Sequence, residues 1–271
     1  MSAVRPTNYI HGYDSRESDR LLAQASSVAD LLHSDTRYPR NSGVLEVGCG
    51  TGAQTISLAR NSPDARFVCV DHSATSLETA RSRLAASGAT NVEFYDADLF
   101  HLPFETHSFD HAFVCFVLEH LPNPDAALRE IRAFLKPGGT ITVFEGDHGS
   151  TLFHPSSATA ARVVAAQVEL QRRLGGDAEI GRQLYPLLVR SGYEQVRVSP
   201  RMVYVDWSRP ELVRSFTRNT FIAMVEAVRD EVLAAGLVDA ETFSEGIRDL
   251  NRTAAEDGVF CYTFFKAFAH V

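Results

Sequence analysis

The sequence predicts an α/β fold built on a doubly wound parallel sheet, and three observations carry that reading. Between residues 43 and 146, short apolar runs alternate with helix-patterned stretches, the order that builds parallel strands joined by crossover helices. The run Val44-Leu45-Glu46-Val47 feeds directly into glycines at alternate positions, Gly48, Gly50 and Gly52. A strand entering such a loop brings its backbone close to a ligand, where a Cβ would block the approach. Further on, Lys136-Pro137-Gly138-Gly139 stops a helix and returns the chain to an apolar run.

The elements follow in order. Residues 43–47 read as the first strand and 53–60 as its helix, whose N-terminal N–H groups point at the glycine loop. The second strand spans 66–70. The next helix, 75–86, opens on a capping box of Thr75 and Glu78 and closes at Gly88. Residues 91–95 are the third strand and 111–115 the fourth, apolar on both faces as a central parallel strand is. Helix 125–135 precedes the stop signal, and 140–144 is the fifth strand. Residues 1–40 form an N-terminal helical lid: Asp14 and Glu17 suit a helix start, and Leu21, Leu22, Val28, Leu31 and Leu32 give one apolar face. Residues 41–271 read as one domain with helical cap insertions at about 150–180 and 208–257. Within them, helix 156–174 breaks at Gly175-Gly176, helix 184–191 precedes a sixth strand around 196–205, and 210–235 and 241–251 are helical. Residues 260–268 form a strongly apolar last strand.

The chain has 271 residues, 45% of them hydrophobic, enough for one large domain with a full core. Its formal charge is −8 and its only lysines are Lys136 and Lys266, so the basic stripe of a nucleic-acid binder is missing. No apolar run approaches the ~20 residues needed to cross a bilayer, and the polar N-terminus does not read as a signal peptide. Cys49, Cys69, Cys115 and Cys261 form no C-x-x-C pair and read as buried free thiols of a cytoplasmic protein. The partners expected are a small-molecule acceptor and a possible second copy of the chain, with no nucleic acid and no membrane.

Ligands of open α/β sheets bind at the carboxyl ends of the strands. The first end carries Glu46, Gly48, Cys49 and Gly50; its glycines also fit a dinucleotide fingerprint and leave NAD open, but Glu46 would repel a pyrophosphate and suit a cation. Asp71, at the second end, can accept both hydroxyls of a ribose, or cap the following helix; His72 beside it could lie against an adenine. At the third end Asp98 can accept from an exocyclic amine while the Leu99 N–H donates to a ring nitrogen, the bland alternative being an exposed acidic turn. The fourth end places Cys115 and His120 toward the reactive end of the ligand.

From about Val44 to Asp147 the chain resembles the class I S-adenosylmethionine-dependent methyltransferases, particularly the small-molecule branch typified by the ubiquinone and menaquinone enzymes. The motifs are LEVGCGTG (45–52), VDHS (70–73), DADLFHLPF (96–104), SFDHAFVCFVLEHLPNP (108–124) and LKPGGTITVFEG (135–146). The resemblance implies a Rossmann-like, doubly wound, seven-stranded sheet, mostly parallel with the last strand antiparallel, and S-adenosyl-L-methionine as cofactor. It implies that Gly48 and Gly50 admit the methionine and ribose portions, that Asp71 holds the ribose, and that Asp98 and Leu99 read the adenine. Glu46 stands where the family carries an acid. Cys49, Gln54, His72, Cys115 and His120 complete the expected set, with Tyr9 of the segment Tyr9-Ile10-His11-Gly12-Tyr13-Asp14 closing over the cofactor. Glu145 matches the family pattern loosely and His148 not at all.

Methyl transfer from a sulfonium is an in-line displacement that demands no metal; alignment, a water-poor site and, for some acceptors, a base suffice. The candidates for base are His148, His154, His120 and His11, with His148 favoured for its place beyond the fifth strand; Glu145 and Tyr9 join it as catalytic candidates. His148 and His154 alone make a poor metal pair, and no metal is expected. Tyr185, Tyr204, Trp207, Phe216, Phe221 and Met224 are candidates to line a pocket for a bulky apolar metabolite. O- or N-methylation is the favoured chemistry. Methylation of a prenyl alkene carbon, a cofactor-binding regulator without activity, and a Rossmann dehydrogenase are the alternatives. A nucleic-acid methyltransferase is disfavoured, because Cys115-Phe116-Val117-Leu118 stands where an Asn/Asp-Pro-Pro-aromatic signature would be.

Overall fold

Strand β1 (Gly43–Val47) and strand β2 (Arg66–Asp71) pair in parallel, each with four consecutive buried residues, as strands covered on both faces require. The computed structural model describes residues 28, 29 and 31–271. The expectations for Tyr9, His11, Tyr13, Asp14, Glu17, Leu21 and Leu22 lie outside the described residues, as does most of the 1–40 lid. Helix α1 (Thr55–Asn61) follows β1, α2 (Ala74–Ser87) follows β2, and β3 (Val92–Asp96) leads through a short 3-10 turn toward β4 (Phe109–Cys115). Helix α3 (Pro124–Phe134) then feeds β5 (Leu135–His154). Beyond it come α4 (Ala158–Arg173), α5 (Leu184–Arg190) and β6 (Glu194–Asp206). A π-helix (Val213–Ile222), α6 (Ala223–Ala227), α7 (Arg229–Ala234) and α8 (Ala240–Arg252) precede the last strand, β7 (Val259–His270).

The seven strands form one sheet in the order β3-β2-β1-β4-β5-β7-β6. β7 runs antiparallel to both β5 and β6, so the other six point one way, as expected of a Rossmann-like sheet of this kind. Strand alternation divides the core in two. On one face Val44, Phe67, Phe113 and Phe144 pack with Leu32, Leu58, the cap residues Val163, Phe216 and Phe221, and Phe260 of β7. On the other, Leu45, Val68, Val114 and Val143 pack with Leu128, Ile131, Leu184 and Leu188. All four cysteines are buried and free. Among the described residues no helix is long and apolar enough to cross a membrane.

Three local expectations are corrected. Helix α2 is capped by Ser73, whose hydroxyl accepts from the Ser76 N–H at 3.2 Å, and not by a Thr75–Glu78 box; Gly88 closes it at φ 76° as expected. The fifth strand does not stop at Phe144 but continues to His154, because β7 pairs with it antiparallel as far as His154↔Val259. Glu145 and His148, expected on a loop beyond the sheet, are therefore part of β5, and the segment 150–180 begins in strand before α4. The stretch 210–235 is not one helix: it is divided around the π-helix, where the Thr220 hydroxyl donates to the Ser215 carbonyl five residues back at 2.8 Å.

Candidate active site

The glycine loop hangs from β2. The Gly48 and Cys49 N–H groups both donate to the Val70 carbonyl, at 2.8 and 3.1 Å. Gly48 has φ +69°, and a Cβ there would lie 2.4 Å from Val117 Cγ2, so glycine lets the turn after β4 close on the loop. Gly50, at φ +52°, has no atom within 4 Å of its Cβ direction: the backbone there faces open space. Its N–H donates to Asp71 Oδ2 at 2.8 Å, while Asp71 Oδ1 accepts from the Ser73 N–H at 2.9 Å. The Asp71 carboxylate thus ties the loop to the start of α2 and keeps further lone pairs on each oxygen. Its side chain is 9% exposed.

Glu46 lies beneath this loop rather than at its mouth. It is 2% exposed, and its Oε2 accepts from the Cys69 thiol at 3.2 Å, because the strand alternation turns residue 46 to the face of Cys69. Burial pushes its pKa up to about 7. Gln54, at the entrance of α1, has its amide oxygen 2.6 Å from His33 Nε2. His33 stands edge-on to Phe113 and Phe144, and burial holds its pKa down at about 4.

These two groups set opposed pH dependences. The folded state holds more protons than the unfolded one at Glu46 between about pH 4.5 and 7, so ionising Glu46 costs stability as pH rises through that window. At His33 the folded state holds fewer protons between about pH 4 and 6.5, so stability is lost as pH falls through it. Glu46→Gln is expected to raise stability at pH 8 by up to roughly 3 kcal/mol. At pH 5 most of that gain is absent, and the variant shows the acid-side loss due to His33. Denaturant titrations at the two pH values check this; an equal gain at both would remove Glu46 as the titrating group.

The third strand end is more open. Asp98 caps the turn Leu99–His101, its carboxylate accepting from the Phe100 N–H at 3.0 Å and lying 3.2 Å from His101 Nδ1. Leu99 is half-buried and Asp98 exposed. His72 is exposed, its Nδ1 3.8 Å from Asp71 Oδ1.

After β4 the chain turns sharply. Cys115 is buried, and Phe116 adopts φ +58°, uncommon for a residue with a bulky side chain. The Phe116 N–H donates to the Phe144 carbonyl at 2.9 Å. Glu145, 0% exposed, fills the inside of this turn: its Oε1 accepts from the Val117 N–H at 3.0 Å and the Leu118 N–H at 2.7 Å. Its Oε2 is buried without a hydrogen-bond partner, and burial pushes its pKa well up. Glu145 is therefore buried and engaged by the backbone of the turn, whereas its candidacy as a catalytic group expected it at an open strand end. Next in the turn, His120 Nε2 lies 3.6 Å from a Glu119 carboxylate oxygen.

His148 is also inside the protein, 5% exposed, where the β5–β7 register shifts between Asp147 and Leu152. Its backbone N–H donates to the Ala178 carbonyl at 2.9 Å, and its ring Nδ1 lies 3.1 Å from the same oxygen. Its Nε2 lies 3.3 Å from Met224 Sδ; the carbonyl and the thioether both only accept, so each ring nitrogen faces an acceptor. The Tyr262 hydroxyl is 3.1 Å from Nδ1, in space that exists because a Gly146 Cβ would lie 2.2 Å from it. Beside them, Arg182 makes a bidentate ion pair with the buried Asp147, at 2.9 and 2.6 Å. His154, at the far end of β5, is exposed.

Of the expected acceptor-lining residues, Phe216, Phe221 and Met224 are buried with His148 and Tyr262, whereas Tyr185, Tyr204 and Trp207 are exposed. Phe221 and Tyr262 have ring centroids 6.2 and 5.6 Å from that of His148. Tyr262 escaped the sequence reading; its one signal was a hydroxyl within the apolar run 259–268.

Residues 44–139 match a family model described as a methyltransferase domain. Among curated relatives, the chain is 33% identical over 178 residues to an uncharacterised 37.1 kDa transposon protein of Streptomyces fradiae, covering 65% of this chain and 50% of that one. It is 31% identical to methyltransferase GfsG of Streptomyces halstedii, covering 53% and 52% of the two chains. To demethylmenaquinone methyltransferase of Lactococcus lactis it is 34% identical, covering 39% and 42%. The chain thus spans about half the length of the curated relatives it matches. The fold is shared with a methyltransferase structure from Bacillus halodurans, at TM-score 0.57 and 19% identity over 90% of this chain and 98% of that one. It is shared also with the [4+2]-cyclase SpnF, at TM-score 0.54 and 21% identity over 93% and 80%. Residues 44–139 match a methyltransferase domain, and the chain that carries them resembles the class I S-adenosylmethionine-dependent methyltransferases of the ubiquinone and menaquinone branch.

Proposed function

We propose that this chain transfers a methyl group from S-adenosylmethionine to an oxygen or nitrogen of a small, bulky, largely apolar metabolite. The observation that carries the reading is Asp71: its carboxylate holds the one loop glycine whose backbone faces open space, with lone pairs left for a ribose diol. The residues present fit the cofactor. Gly50 leaves room for it, and Asp71 stands at the ribose distance in sequence. Asp98 and Leu99 offer an acceptor and an N–H to the adenine edge, and Glu46, from below, places an acid near the cationic end.

When bound, S-adenosylmethionine supplies an electrophilic methyl group on a cationic sulfur, with a neutral thioether as leaving group. The chain's own residues align and dehydrate. Phe116 and Val117 form the backbone wall at the methyl end, and Phe216, Phe221 and Met224 exclude water around His148. His148 Nε2 takes the proton that an O–H or N–H acceptor releases as its new bond to carbon forms. The Ala178 carbonyl beside Nδ1 holds the ring in place.

A second reading, methylation of a prenyl alkene carbon, is favoured by the rings of Phe216, Phe221, Tyr262 and Phe264 packed at centroid distances of 4.7–6.0 Å. Such faces stabilise a carbocation, and His148 would then remove a proton from carbon. The position of a deuterated methyl group in the product separates the two.

The donor assignment is tested by thermal unfolding. At 100 times its Kd, S-adenosylmethionine is expected to add about 2.7 kcal/mol of stability, and NAD none. A shift with NAD alone would replace the reading with an oxidoreductase. Adenosylhomocysteine released with any member of an acceptor panel excludes a regulator without activity.

A further inference from the structure

We propose that Glu145 is a positioning residue: it touches neither cofactor nor acceptor, and it holds the turn after β4 in the shape against which the glycine loop closes. Three contacts build the case. Inside the turn, Glu145 Oε1 takes the Val117 and Leu118 N–H groups at 3.0 and 2.7 Å. Outside it, the Glu119 carbonyl accepts from the Asp177 N–H at 2.8 Å and from Gln171 Nε2 at 3.0 Å, so the turn is gripped on both sides. Across it, Val117 packs onto Gly48 so closely that a Cβ on Gly48 would lie 2.4 Å from Val117 Cγ2. A shift of Val117 therefore moves the wall of the glycine loop.

The turn also needs holding. Phe116 sits at φ +58°, a conformation that persists only where the surroundings impose it. Its own N–H is fixed by Phe144, the residue next to Glu145 in β5, so one strand segment supplies both restraints. What the turn requires of residue 145 is an acceptor oxygen and not a negative charge, in keeping with the burial that favours the neutral carboxyl.

The inference rests on the reading of loop 48–52 as the S-adenosylmethionine cradle. It is tested by calorimetric titration of adenosylhomocysteine into full-length Glu145→Gln, Glu145→Leu and Val117→Ala proteins. Glu145→Gln keeps an acceptor and is expected to bind within about twofold of the parent, whereas Glu145→Leu is expected to bind about tenfold more weakly. Val117→Ala, with Glu145 intact, is expected to bind several-fold more weakly, and it decides the matter if Glu145→Leu does not fold. Hydrogen exchange in Glu145→Leu should quicken at the amides of 117 and 118. Parent-like affinity in folded Glu145→Leu or in Val117→Ala overturns the inference, and so does a Glu145→Gln protein as weak as Glu145→Leu. Failure of the parent itself to bind adenosylhomocysteine would instead overturn the reading of the loop.

Discussion

Asp71→Ala is expected to weaken S-adenosylmethionine binding by about 2–3 kcal/mol, roughly 30- to 150-fold in Kd, the worth of charge-assisted hydrogen bonds to a diol. The structure gives the residue two tasks. One is the ribose contact proposed above; the other is internal and is seen directly, since the same carboxylate accepts from Gly50 at 2.8 Å and from Ser73 at 2.9 Å. Alanine removes both, leaving two N–H groups without their acceptor and the loop without its tether. Asp71→Asn separates them, because one amide oxygen can still hold Gly50 while the charge is gone. Isothermal titration of both variants, with circular dichroism to establish that they are folded, gives the answer. Unchanged affinity in a folded Asp71→Ala protein would overturn the ribose assignment.

His148→Ala is expected to lower kcat by about 10²–10⁴-fold, the usual contribution of a positioned base, with the S-adenosylmethionine Kd unchanged. His148→Gln probes the alternative that the ring only fills space: it restores volume and a hydrogen-bonding group but no basic nitrogen. Recovery of turnover in His148→Gln would assign the residue to packing. An acceptor found by the panel is needed first, and cofactor affinity can be measured in the meantime.

The donor half of the site was legible because its chemistry is bound to strand ends, where spacing alone fixes position. Gly48, Gly50 and Asp71 are joined by a glycine loop and a strand crossing, and their relation survives any choice of loop detail. The acceptor half was less legible, and two residues show why. Glu145 reads as a free carboxylate at a strand end, yet β5 continues past it because β7, more than a hundred residues later, pairs with it; no local signal announces a partner so distant. His148 reads as a lone histidine, because Tyr262, Ala178 and Met224, which surround it, come from three separate parts of the chain. Exposure was the other gap. Tyr185, Tyr204 and Trp207 are as aromatic as Phe216 and Phe221, and only packing separates the surface set from the buried one.

The length of β5 has a consequence for exchange of specificity between related chains. Its 20 residues carry both Glu145, which holds the turn after β4, and His148, which lies where the register against β7 shifts. A recombinant that joins one parent's cofactor half to another's cap cannot be cut within residues 144–154, because the cut would fall inside a ladder whose other rail is β7. Workable crossover points lie at the Pro137–Gly139 turn or beyond Pro155, and the first of these must carry β5, the cap and β7 across together as one block.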